Sequence, residues 1–331
     1  MPSSPYGWAH SCCSAAALAA AIADPSVLHI ESDIVVSSRT GLPVMAHPPS
    51  TDSDLSFEEF LVACTTEKSS GGTYKDLKFD FKDMAAVEPC LQRTAKERKR
   101  LRSTGQTVWL NADVLMGPGC GPRAVEPGHR TPPAITANRF LQLCRDFYPE
   151  GILSLGWKVD VCGTSGYSDA HCGEMYDLLS QNDLLNSPLV LAVAARQLAK
   201  NPAPIQKLLQ RLPQSELLVW TGTGEPPILP SLVERIRNAF SQANTNDEQA
   251  PTGLRVKFDI AVQTGRLRSL VWNGDRSVAL FRIYRPIKWA LVEAGIYKSA
   301  LLSMLACGII FGALNQKTWG YKFNILDANG S

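Results

Sequence analysis

The chain has 331 residues, 45% of them hydrophobic and 19% charged. That composition buries a substantial core and excludes a disordered chain, and the length suits a barrel of about 250 residues with an appendage. Thirty-three Lys and Arg against 31 Asp and Glu give a net charge of +2, which argues against a dedicated nucleic-acid surface. The nine cysteines are scattered and include no C-x-x-C pair, which argues against structural zinc and for a reducing compartment. A loop disulfide between Cys120 and Cys162 is the alternative if the chain is exported.

Strand-like and helix-like runs alternate along the chain. Strands are expected near 6–10, 27–36, 76–82, 107–114, 151–158, 187–195, 216–222 and 254–260, and helices near 14–23, 55–65, 84–100, 135–147, 171–181, 198–211 and 229–242. The alanine run from Ala15 to Ala23 follows His10 with no basic region before it. It reads as the first barrel helix rather than as an export signal. Strands separated by single helices pair in parallel through right-handed crossovers. Eight such units predict an α/β fold, a TIM-type (β/α)8 barrel over 1–260. A doubly wound open sheet is the runner-up, weakened because no G-x-G-x-x-G follows the first strand. The basic cluster from Lys96 to Arg102 falls at a helix end, where cations complement the dipole, and reads as a solvated face. The Gly/Pro-rich segment from Met116 to Pro133 is expected to overhang the barrel mouth.

Residues 261–331 form a C-terminal extension. Arg266 to Tyr284 suggests a hairpin around Asn273-Gly274-Asp275, and Ala294 to Leu314 is apolar except for Lys298 and two serines. The apolar segment 294–314 is long enough for membrane contact as a bilayer span. The preferred reading docks Ile287 to Leu305 on the barrel as its eighth helix. The expected location is cytoplasmic, or membrane-associated through that segment.

Within the strand-like runs sit polar residues where a core would be apolar: His10, Glu31, Asp33, His47 and Asp80. Glu31 and Asp33 are two apart and share a strand face, as do Asp80 and Lys82, and Asn111 and Asp113. Burying three carboxylates on neighbouring strands is costly unless a cation neutralises them. Glu31, Asp33 and Asp80 are therefore expected to hold one Mg²⁺ or Ca²⁺, with His10 and His47 beside it for acid–base work on a phosphate ester. Asn111 and Asp113 either orient that shell or cap strand ends. Trp157 and Trp220 close the fifth and seventh strands; Trp220 is expected to stack on substrate, and both are counted among the substrate-binding residues.

The ordered runs WAH, HIESDIVV, LPVMAHPP, LKFDFKD, VWLNADVL, LSLGW and VWTG resemble the menorin family of dendrite-branching proteins, from about Tyr6 to Ile260. That resemblance implies kinship with phospholipase-C-like phosphodiesterases, among them glycerophosphodiester phosphodiesterases. It implies His10 and His47 as the catalytic pair, Glu31, Asp33 and Asp80 as metal ligands, and Lys82 facing the substrate phosphate. His10 is followed by Ser11 rather than Arg-Gly, and His47 by Pro48-Pro49 rather than Asp, so the substrate is not carried over. Two functions follow. One is hydrolysis or intramolecular transesterification of a small-molecule or lipid phosphodiester. The other, in which an extracellular location and a protein partner follow from the family, is a silent binding module in cell-surface recognition.

Overall fold

The computed structural model describes residues 7–66, 72–124, 127–161, 163–222, 228, 230–241 and 256–259, all within the first of two units, Met1–Thr264. Eight strands run parallel in the order β1 (Trp8–Ala9), β2 (His29–Val36), β4 (Asp76–Phe81), β5 (Val108–Met116), β6 (Ile152–Lys158), β7 (Leu189–Ala194), β8 (Ser215–Trp220) and β9 (Val256–Asp259). Helices alternate with them, giving a nearly closed TIM-like barrel. A ninth strand, β3 (Pro43–Met45), folds back antiparallel on the end of β2.

The helices start where side chains can satisfy orphan amides. Ser14 accepts from the Ala17 amide at 3.2 Å and opens α1 (Ala15–Ala23). Asp83 does the same for α3 (Met84–Lys96), and Ser168 with His171 forms a capping box on α6 (Asp169–Gln181). Between them lie α2 (Phe57–Thr66) and α5 (Ala137–Phe147). Two helices expected as single pieces are each divided. Residues 84–100 become α3 and α4 (Arg98–Thr104), because Glu97 leaves helical geometry at φ −89 and ψ 1. Residues 198–211 become α7 (Ala195–Lys200) and α8 (Ala203–Gln210), because Asn201 precedes Pro202 and is driven to an extended φ of −152. The last described helix is α9 (Pro230–Ser241).

Strand alternation sorts two cores. Outward residues such as Phe79, Phe81 and Leu155 pack with Phe57, Phe60 and Phe140 beneath the helices. The Phe81 and Phe140 rings meet edge-on at 5.8 Å. Inward residues build the barrel floor from Trp8, Trp109, Val190 and Leu218, with Ile152 against them. Trp8 meets Trp109 edge-on at 5.5 Å and stacks on His29 at 4.4 Å. Lys257 lies 4.5 Å over the Trp109 ring and pairs with Glu216 at 2.6 Å. This apolar, aromatic floor lies below the polar groups at the carboxyl ends of the strands, so charges there interact through a poorly screening medium.

The predicted extension 261–331, its hairpin around Asn273 and its apolar segment 294–314 lie outside the described residues. Among the described residues no helix is long and apolar enough to cross a membrane. The arginines of the basic cluster are paired: Arg98 binds Glu150, Arg100 lies 4.0 Å from Glu97, and Arg102 lies 3.8 Å from Glu150. Seven cysteines among the described residues are free thiols, Cys120 included; Cys162 lies outside them.

Candidate functional site

The inward faces of β1, β2, β4, β5 and β9 bring one polar cluster together. His10 follows β1, Glu31 and Asp33 lie on β2, Asp80 on β4, and Lys82 just beyond it. Parallel register sets Glu31 beside Lys78, Asp33 beside Asp80, and Asp80 beside Asn111. Ligand atoms of Glu31, Asp33 and Asp80 all lie within 4.8 Å of one another, and so do those of His10, Glu31 and Asp259. The three carboxylates expected to share a cation therefore converge.

Their partners are specific. His10 Nδ1 donates to Asp259 Oδ2 at 2.9 Å and lies 3.2 Å from Glu31 Oε2. The Ser11 amide donates to Glu31 Oε2 at 2.6 Å, and the Ser11 hydroxyl to Asp33 Oδ2 at 3.3 Å. Ser11 reaches both from a left-handed backbone, φ 55, a costly conformation for a residue with a Cβ. The Lys82 ammonium lies 2.9 Å from Asp80 Oδ2 and 3.5 Å from Asp33 Oδ1. Asn111 Oδ1 accepts from the buried Ser154 hydroxyl at 2.6 Å. Asp80, only 7% exposed, keeps Oδ1 buried with no hydrogen-bond partner.

Burial and mutual charge set the protonation states. Burial pushes Glu31 up to about 7, with Asp33 and Asp80 adding to it against His10 and Lys78. Burial likewise pushes Asp113 up to about 6, although Lys82 opposes it. Burial resists charge on Asp80, yet Lys82 and Lys78 hold it below its ordinary value; His10 does the same for Asp259. Burial also resists charge on His10, but Asp259 and Glu31 prevail and raise it to about 10. Lys78 and Lys82 are held protonated by the carboxylates around them.

Five carboxylates (Glu31, Asp33, Asp80, Asp113, Asp259) thus face three cations (His10, Lys78, Lys82), leaving a formal excess of two negative charges. The donor set of Glu31, Asp33 and Asp80 is all oxygen. Together with the orphaned Asp80 Oδ1, it fits a hard divalent cation.

The other expected residues divide. Asn111 and Asp113 share the inward face of β5, and Gly156 on β6 makes room for Asp113, since a Cβ there would meet Asp113 Oδ1 at 2.9 Å. Trp220 is half-buried, on the same face of β8 as the floor residue Leu218 and beside Asp259 in register. His47 is exposed beyond β3, its Nδ1 bonded to the Pro48 carbonyl at 2.6 Å, and makes no bond to the cluster. Trp157, counted among the substrate-binding residues, faces away from the barrel interior. It is 0% exposed on the outer face of β6, edge-on to Tyr167 at 5.3 Å, and its Nε1 donates to the His171 carbonyl at 3.2 Å. The loop after β5 is tethered by Lys158, whose ammonium reaches the Gly128 and Thr131 carbonyls at 2.9 and 3.0 Å.

Three participants escape the sequence reading. Lys78 extends the Asp80–Lys82 alternation one step back. Asp259 sits in the same K-x-D spacing within the last strand, so that pattern was a usable signal for both. Ser11 carries no local signal, because its role depends on a positive φ.

The family model described as the Menorin N-terminal domain matches residues 5–245. Protein FAM151B of Homo sapiens is 28% identical over 205 residues, 59% of this chain and 65% of that protein. The chain therefore spans just under two thirds of that relative's length. Matched over more than half its length, the chain belongs to the menorin family.

Proposed function

We propose that the chain is a metal-dependent phosphodiesterase of the phospholipase-C-like kind, acting on a small-molecule or lipid phosphodiester. The observation that carries this reading is the convergence of three buried carboxylates, one with an orphaned oxygen, beside a carboxylate-held histidine and a lysine. Glu31, Asp33 and Asp80 would hold one Mg²⁺ or Ca²⁺. When bound, that cation supplies positive charge to a non-bridging phosphate oxygen. Lys82 adds charge as phosphorus becomes five-coordinate.

Asp259 fixes the tautomer and direction of His10 by taking its Nδ1 proton in a hydrogen bond, so that Nε2 is left for substrate. With its charged form favoured, His10 is suited to donate the Nε2 proton to the leaving oxygen. His47, also held at Nδ1, would take the proton from the nucleophile, either water or a neighbouring substrate hydroxyl. A hydroxyl nucleophile yields a cyclic phosphate and a free alcohol; water yields a phosphomonoester. Asn111 and Asp113 would orient the groups around the phosphate, and Trp220 would stack on the substrate.

One observation favours a second reading. His47 makes no hydrogen bond or ion pair to the cluster, so of the two histidines only His10 is held by the carboxylates. A binding module that keeps the acidic centre for ligand or partner recognition needs only that. Hydrolysis of bis-p-nitrophenyl phosphate and of lysophospholipids, assayed with Mg²⁺, with Ca²⁺ and with chelator, separates the two. Cation-dependent turnover supports the enzyme; a cation that binds by calorimetry with every phosphodiester left intact supports the module.

A further inference from the structure

Lys78 is 2% exposed inside the barrel, and the mechanism above gives it no task. It lies on the inward face of β4, beside Glu31 on one side and Trp109 on the other. It therefore sits between the acidic cluster and the aromatic floor. Its ammonium makes no hydrogen bond or ion pair among the described residues. Yet Glu31, Asp80 and Asp259 all act on it electrostatically. A lysine side chain buried inside the barrel is expensive on its own and tolerable only inside a negative field. Lys78 thus places a positive charge beside Glu31 and among the carboxylates.

We propose that Lys78 is the countercharge that sets the cation specificity of the acidic centre. It lets the carboxylates stay buried when no metal is bound, weakens their hold on any cation, and trims the excess to the two negative charges that one divalent ion neutralises. The inference rests on the cation-centre reading above and adds what determines charge and affinity there. Asp80 and Lys78 are two residues apart, roughly 7 Å along the strand. At that range, with the floor excluding water, removing one positive charge should tighten divalent binding by about tenfold or more.

The test is calorimetry of Ca²⁺, Mg²⁺ and a trivalent lanthanide on the full chain, with thermal melting in parallel, for wild type, K78R, K78Q and K78M. The expected result is a wild-type affinity kept in K78R. K78Q and K78M should bind each cation at least tenfold tighter, with the largest gain for the trivalent ion. Both should melt lower without cation, and K78M/D259N should recover the loss. Should K78M and K78Q fold only when cation is supplied, the inference is supported in its strongest form. Wild-type binding with unchanged or weaker affinity in K78M overturns the inference while leaving the cation centre standing. Binding by K78M but not by wild type supports the inference and overturns the cation-dependent enzyme. No binding by any form overturns both. Variants rescued neither by cation nor by D259N mark Lys78 as a packing residue and overturn the inference alone.

Discussion

Cation binding at the acidic centre should depend on pH through Glu31, with a slope that the structure sets. Glu31 titrates near 7 when no cation is bound, because burial and the neighbouring Asp33 and Asp80 disfavour its charge. A hard cation needs the carboxylate, so binding must displace that proton. Each pH unit below 7 then costs about tenfold in affinity. Asp113, raised to about 6, adds a second proton below that value, since the field of the cation favours its ionised form. Between pH 8 and pH 5 the affinity should fall by about 10²–10³. The apo protein should show the opposite trend. A carboxyl with a raised folded pKa holds a proton that the unfolded chain has already released, so stability declines as pH rises from 4.5 to about 7. For Glu31 the decline amounts to about 3 kcal/mol. His10, raised to about 10, continues the decline, because its contribution is complete below 6.5 and is lost as pH rises through 10. Added Ca²⁺ or Mg²⁺ should therefore raise the melting temperature little at pH 5 and strongly at pH 8. Calorimetry in two buffers of different ionisation heat reads the released protons directly. An affinity that stays flat from pH 5.5 to pH 8 refutes the assignment of Glu31 to the cation.

The same geometry fixes three further outcomes. Asp80→Asn should reduce cation affinity by about a hundredfold or more by calorimetry while leaving the far-UV spectrum unchanged, because it removes the ligand whose Oδ1 has no other partner. His10→Ala should cost about 10²–10⁴-fold in phosphodiester turnover. Asp259→Asn should instead shift the basic limb of the pH–rate profile to lower pH, since Asp259 is what raises His10; an unmoved limb would take His10 out of the acid role. Trp157→Ala should destabilise the fold by about 3–5 kcal/mol in denaturant melts, as expected for a fully buried indole, and should leave cation affinity within threefold of wild type.

All eight parallel strands were legible because helix-length segments separate them and their inward positions keep a period of two. HIESDIVV and LKFDFK show why. Ile30, Ile34, Phe79 and Phe81 pack under the helices, while Glu31, Asp33, Lys78 and Asp80 face in. Trp157 follows the same rule, because parity and not nearness to a strand end decides which way a strand residue faces. In LSLGWK the inward residues are Ser154, Gly156 and Lys158, which leaves Trp157 outside. The strand β3 was less legible, since PVM is three residues long and its pairing to β2 depends on the turn that ends at Leu42. The splits at Glu97 and Asn201 are local backbone events inside helices that pattern alone joins.

The part of the centre that the sequence hid is the part that closure of the barrel creates. His10 and Asp259 are 249 residues apart in sequence, so no local spacing links them. They meet because β1 and β9 are the two ends of the parallel order, and strand ends in this fold converge on one mouth. The hydrogen bond between their side chains spans that seam. The Asp259 charge across that seam is the largest favourable influence on the His10 charge, ahead of Glu31, so the protonation state of a residue beside the first strand depends on the last. The matched family domain ends at 245, before β9 begins, and the residues within it provide Glu31, Asp33, Asp80 and Lys82 but not the group that holds His10. The carboxylates proposed to hold a cation and the carboxylate that holds His10 thus have separate structural origins in this chain. The first resides in alternation within β2 and β4, and the second in the docking of β9 beside β8 and across from β1.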